Sequence, residues 1–200
     1  MVEVEVFAML NENGILSVTL EFTPNPNTLK FVVNQNLLEK GAANFTSVSQ
    51  ATKAPLAKTL FEVAGVQAVM IGTNFVTITR TADGDWDVLA EQVPLAIEKH
   101  LKSGALVVDA DYASATPGTS SAGSDPEVEK KIREVLDTEI RPAVAMDGGD
   151  ITFGKFEDGI VYLHLQGSCS SCPSSVATLK MGVETRLKEV IPQIKEVVQV

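Results

Sequence analysis

Long apolar runs and positive charge are both scarce in this 200-residue chain. No uninterrupted apolar stretch approaches the roughly 18 residues that a bilayer-spanning helix needs, and the most apolar region, Phe61 to Ile71, is broken by Glu62 and Gln67. A membrane span is not expected. Lysine and arginine number 16 against 26 aspartates and glutamates, a formal charge of −10. The deficit is spread evenly: −4 before Ala105, −3 over 105–125 and −3 beyond. No basic module is hidden in either half, which argues against a nucleic-acid partner, because that binding depends on cations neutralising phosphates. Acid also stands at the start, Met-Val-Glu-Val-Glu-Val, where a signal or transit peptide carries Lys or Arg. The expected location is the cytoplasm.

A local absence divides the chain. From Asp109 to Asp125 there is no Leu, Ile, Val, Met or Phe, so this stretch cannot bury enough apolar area to offset its ordering entropy. It reads as a flexible linker whose ends lie roughly 23 Å apart if it behaves as a Gly/Ser-type coil. The flanking sequence is 44% hydrophobic on average over the chain, enough for a core on either side. The expectation is an α+β protein: two small α/β-sandwich-type domains, 1–108 and 126–200, joined by the linker 109–125.

In the first domain, Val2–Val6 and Ile15–Phe22 alternate like strands around Asn11-Glu-Asn-Gly14, a hairpin signal. Thr23-Pro-Asn-Pro-Asn27 is a turn leading to a strand at Leu29–Val33, and it serves either as a rigid corner or as a partner contact. Ala54–Ala64 reads as helix, Val66–Ile71 and Phe75–Thr79 as a strand pair, and Trp86, Leu89, Val93, Ile97 and Leu101 as one helical face. Pro94 should kink or start that helix, at a cost of about 3 kcal/mol in an interior. In the second domain a helix capped by Ser124 or Asp125 carries Val128, Ile132, Val135 and Leu136, and should end near Arg141-Pro142. Two strands, Ile151–Phe156 and Ile160–Gln166, join through Glu157-Asp-Gly159. A helix with the stripe Val176, Leu179, Val183, Leu187 and Val190 follows, then a strand at Glu196–Val200.

Cysteine occurs only twice, as Cys169 and Cys172, in the loop between the second of those strands and the helix. This placement differs from that of buried core residues. Pro173 suits a first helical turn, so the sulfurs face unpaired N–H groups and the positive end of the helix favours thiolate. A structural dithiol is the plain reading. Dithiol–disulfide oxidoreductase chemistry is a second, though only 28 residues follow Cys172. A mononuclear zinc site needs four ligands, and the remaining candidates, His164 on the outward side of a strand and His100 on a helix of the other domain, read as surface residues. A zinc bridge between two chains is the third reading. The fourth follows from ligand arithmetic: an iron–sulfur cluster takes four thiolates, one chain supplies two, and two chains supply four.

These residues fall in a recognisable pattern. Arg141-Pro-Ala-Val-Ala-Met-Asp-Gly-Gly-Asp-Ile151, Asp158-Gly-Ile-Val161 and Leu165-Gln-Gly-Ser-Cys-Ser-Ser-Cys-Pro-Ser-Ser175 with Thr178-Leu-Lys180 closely resemble the C-terminal domain of NifU-like proteins, the Nfu family. Thr23-Pro-Asn-Pro-Asn-Thr-Leu-Lys-Phe31, Ala54-Pro-Leu-Ala-Lys-Thr-Leu-Phe61 and Gly65-Val-Gln-Ala-Val69 resemble its N-terminal domain. The resemblance implies a non-enzymatic carrier that holds a [4Fe–4S] cluster, with [2Fe–2S] as the alternative, between the subunits of a homodimer. Cys169 and Cys172 are then the cluster and metal ligands. Ser170-Ser171 stands where the family usually has a Ser-Gly-like pair. The implied partners are an upstream scaffold with its cysteine desulfurase and the apo iron–sulfur clients that receive the cluster. Gly148 and Gly149 are expected to form a positive-φ turn, and Asp147 and Asp150 to cap it, with cation binding as their other use.

Overall fold

The computed structural model describes residues 8–11, 14–109, 126–170 and 173–200, and the chain divides into two compact units, Met1–Ala115 and Thr116–Val200. Apart from Asp109, whose N–H donates to the Lys53 carbonyl at 2.8 Å, the linker expected over 109–125 lies outside the described residues. The same holds for the Val2–Val6 strand and for the caps Ser124 and Asp125.

The first unit is an antiparallel sheet of six strands, β1 (Ala8–Asn11), β2 (Gly14–Phe22), β3 (Thr28–Val33), β4 (Ala43–Phe45), β5 (Val66–Ile71) and β6 (Phe75–Arg80), in the order β1-β2-β3-β6-β5-β4. Asn11 pairs with Gly14, so the expected hairpin turns there. Leu16 and Val18, Leu29, Phe31 and Val33, Val69 and Ile71, and Val76 and Ile78 stand at alternate positions and form one core face, while Thr28, Lys30, Met70 and Thr77 between or beside them are buried as well. That face meets α1 (Pro55–Phe61) through Leu56 and Leu60, and α2 (Trp86–Lys102) through Leu89, Val93 and Ile97. Asp85 caps α2 by accepting the Asp87 N–H at 2.9 Å.

Three expectations change here. Pro94 neither starts nor ends a helix, for α2 runs through it from Trp86 to Lys102. Val93 and Ile97 on either side are fully buried, and at about 1.5–3 kcal/mol each their burial outweighs the lost hydrogen bond. His100 is not a surface residue: it is 7% exposed, with Nε2 3.0 Å from the Leu106 carbonyl and Nδ1 3.4 Å from Thr59 Oγ1. It stands three residues after Ile97 and seven after Val93, on the covered side of α2. Strand β4 and the 3-10 turn Gln50–Lys53 were not anticipated, being too short to set up a period. The Thr23–Asn27 segment is a rigid corner around buried Asn25, whose carbonyl accepts from Thr28 N–H at 3.0 Å and whose Oδ1 accepts from Asn27 N–H at 3.0 Å.

The second unit is a three-stranded sheet, β7 (Gly149–Glu157), β8 (Ile160–Gly167) and β9 (Glu196–Gln199), in that order. β7 and β8 are antiparallel across Asp158 and Gly159, both at positive φ, 52° and 86°. β9 runs parallel to β8, which requires the crossover that α5 (Pro173–Val190) provides. The core joins Ile151, Phe153, Val161, Leu163 and Val197 to Val183 and Leu187 of α5 and to Val128, Ile132 and Val135 of α3 (Pro126–Val135). The helix does not stop at Arg141-Pro142. A π-helical turn at Leu136–Ile140, in which the Arg141 N–H donates to the Leu136 carbonyl, carries it on into α4 (Arg141–Met146). Pro142 then falls in the first turn of a new segment, where its missing N–H costs little.

Glu184 ties β9 to α5. Its carboxylate accepts from Lys188 Nζ and, at 3.0 Å, from the Val197 N–H; Lys188 and then that N–H hold its titration below the ordinary value of 4.5. A lowered carboxylate contributes stability that is present above its ordinary value and lost as pH falls through the folded value. The urea midpoint of the second unit should therefore drop as the pH is taken below 4.5, and drop less in Glu184→Gln. Parallel curves for the two proteins would count against this link.

Candidate functional site

The end of β8 delivers Cys169. Gly167, at φ 63°, turns the chain out of the strand into the short 3-10 turn Ser168–Ser170, and Ser170 Oγ closes it by donating to the Gly167 carbonyl at 2.8 Å. Pro173 opens α5 as expected, and Cys172 lies outside the described residues. Cys169 is 6% exposed and belongs to the hydrophobic core of this unit. The reading that set both cysteines apart from core residues is thereby corrected for Cys169. Sequence placed it in a loop, but the loop folds back under a neighbouring turn.

That turn is Asp147-Gly-Gly-Asp150. Gly148 takes φ 75°, as expected of a turn glycine; Gly149 does not, and lies in β7 opposite Gly167. Its requirement is space: a Cβ on Gly149 would lie 2.4 Å from Cys169 Sγ and 3.2 Å from the Gln166 carbonyl. Ser168 stitches the two segments together, its Oγ donating to the Asp147 carbonyl and its N–H to the Gly148 carbonyl at 3.1 Å. Ser168 Oγ also stands 3.8 Å from Cys169 Sγ.

Asp150 does not cap the turn. It is 4% exposed and receives both Arg141 Nε, at 2.8 Å, and Nη2, at 2.9 Å, in a bidentate pair; Arg141 Nη1 reaches Asp137 at 2.9 Å. Burial alone would lower the guanidinium, but the hydrogen bonds and charges of Asp150 and Asp137 outweigh it and hold the group above its ordinary value. Arg141 and Ser168 entered the sequence reading only as parts of the family motif, and Gly149 as a positive-φ turn glycine, not as the neighbour of the thiol. Each depends on a contact between segments that strand and helix periods do not reveal.

His164 is exposed on β8, with Nδ1 3.2 Å from the Val200 carbonyl, and His100 belongs to the first unit. Among the described residues no three His, Cys, Asp or Glu side chains converge on a point that would hold a metal ion. The described donor at this site is the soft sulfur of Cys169, a ligand type that favours zinc, copper(I) or iron–sulfur clusters over hard cations.

Residues 18–104 match the profile of the scaffold protein Nfu/NifU N-terminal domain, and residues 132–198 that of the NifU-like domain. The chain is 42% identical, over 89% of its length and 69% of the relative's, to the human "NFU1 iron-sulfur cluster scaffold homolog, mitochondrial". It is 40% identical, over 91% of its length and 65% of the relative's, to "NifU-like protein 4, mitochondrial" of Arabidopsis thaliana. The chain thus spans about two thirds of the length of these relatives. A solution NMR structure of a NifU-like protein from Saccharomyces cerevisiae aligns with 51% of this chain and 92% of its own, at 23% identity and a TM-score of 0.43. The mitochondrial names of the relatives overturn the expected cytoplasmic location. An acidic start is a poor guide to compartment, because targeting segments are removed from mature proteins.

Proposed function

Because the chain belongs to the family of NifU-like and Nfu scaffold proteins, we propose that it carries iron–sulfur clusters, receiving a cluster as cargo and passing it to apo-proteins in the mitochondrion. Cys169 and Cys172 ligate the cargo, a [4Fe–4S] cluster, and two copies of the chain complete the set of four thiolates. The observation that carries this reading is the setting of Cys169: a soft donor at the mouth of a strand-to-helix loop, beside a glycine whose missing side chain leaves room for the sulfur. Two protein ligands per chain leave a cluster easier to release than an enclosed four-cysteine site would.

Handover is ligand exchange. A client thiolate displaces Cys169 or Cys172 from one iron, the freed sulfur takes up a proton, and repetition moves the cluster without change in its electron count. No substrate bond is broken catalytically, so the chain acts as a carrier and not as an enzyme. Upstream, a scaffold and a cysteine desulfurase supply the cluster.

Anaerobic reconstitution with iron and sulfide tests the proposal. The expected product is a coloured dimer with about four irons and four sulfides, which then activates an apo iron–sulfur enzyme. Zinc without sulfide would replace this reading with a zinc-bridged module. A colourless monomer that cycles a Cys169–Cys172 disulfide would replace it with thiol redox chemistry.

A further inference from the structure

The thiol that the carrier reading assigns as a ligand is buried. Gly149 lies against the sulfur, and Ser168 holds the Asp147 and Gly148 carbonyls from the strand side. Only the tip of the covering turn, Asp147, is exposed; Gly148 and Gly149 are buried, and Gly149 pairs with Gly167 across the β7–β8 hairpin. On the helix side the N–H groups of Asp147 and Gly148 donate to the Val144 and Ala145 carbonyls at the α4 end. The strongest restraint stands at its base. Arg141 precedes the turn, Asp150 follows it, and their two parallel hydrogen bonds close the loop that carries Gly149. A π-helical turn immediately before Arg141 sets that residue's place on the helix, and such bulges recur at functional positions.

We propose that the Arg141–Asp150 pair is a latch on the ligand site: it keeps Gly149 seated on Cys169, so that this thiol is held out of solvent and is surrendered when the Asp147–Gly149 turn lifts. Arg141 and Asp150 are positioning residues in this scheme and touch no cargo. The latch lowers the reactivity of an idle ligand toward oxidants and stray electrophiles. It also makes lifting of the turn a step that precedes loading. The proposal rests on the carrier reading for its purpose but not for its geometry.

The test uses the full, reduced, metal-free chain under anaerobic conditions. Timed alkylation with iodoacetamide, read by peptide mass spectrometry, follows Cys169 and Cys172 separately. Cys169 should react about tenfold or more slowly than it does in the fully urea-unfolded chain, with a rate that is flat in low urea, as local opening requires. Asp150→Asn and Arg141→Gln should each raise the Cys169 rate about tenfold and leave Cys172 unchanged, the double variant should go no further, and Arg141→Lys should fall between. A Cys169 rate in the folded, unaltered chain equal to that in the unfolded chain would overturn the latch. So would a Cys169 rate that the variants leave unmoved, or one that rises steeply with urea, which would mark the pair as merely structural. A slow Cys169 released by the variants in a chain that takes up no iron would leave the latch standing and remove the carrier reading. Iron uptake by a chain whose Cys169 reacts as fast folded as unfolded would do the reverse.

Discussion

Cys169→Ala and Cys172→Ala are each expected to reduce bound iron and sulfide from about two of each per chain to background. The argument is one of ligand count. With two thiolates from each of two copies, a single substitution removes two of the four ligands from a symmetric pair, and the remaining positions have only hard or neutral groups to fill them. Cys169→Ala also takes a sulfur out of the core, so a modest loss of stability accompanies it. Measuring iron and sulfide beside a thermal melt separates the two effects: Cys169→Ala should remain folded and colourless, and Cys172→Ala should match it in cluster content. A variant that kept its full cluster would remove that cysteine from the ligand set. If both kept it, the ligands would have to lie elsewhere in the chain.

Much of the fold is legible because it is written locally. The β7–β8 hairpin is announced by Asp158-Gly159, since few other pairs accept two positive φ values in succession. The faces of α2 and α5 follow from residues such as Leu89, Val93 and Ile97, spaced to fall on one side. The π-helical turn is different. It shifts the phase of the helix by one residue at Leu136–Ile140, and a proline at 142 that reads as a stop becomes the start of the next segment. Buried His100 shows a second limit, for helical period places it near the core but its shelter comes from Thr59 and Leu106. At the site, residue type and spacing single out the cysteine pair, whereas burial of Cys169 comes from Gly149, twenty residues earlier in the chain. Asp150 illustrates the same point: an aspartate after two glycines reads as a turn cap until Arg141, on another element, is seen to claim both of its oxygens.

Gly149→Ala is expected to be the most damaging change that leaves every polar group in place. Gly149 has no positive φ, so backbone strain does not enter; the whole effect is the added methyl, 2.4 Å from Cys169 Sγ and 3.2 Å from both Cys169 Cβ and the Gln166 carbonyl. Overpacking of this kind costs about 1–3 kcal/mol, which in a unit of this size lowers the melting temperature by about 5–20 °C. Relief requires Cys169 to leave its seat or β7 to part from β8, and either route displaces the ligand. Cluster loading should therefore fall together with stability. A double-mutant cycle identifies the cause: Gly149→Ala in a Cys169→Ala background no longer meets the sulfur, so it should destabilise by about half as much or less. The residual cost reflects the Cβ and carbonyl contacts, which persist when the sulfur is gone. Equal destabilisation with and without the sulfur would place the clash on the strand backbone alone, and Gly149 would then be a requirement of the hairpin instead of the seat of the thiol.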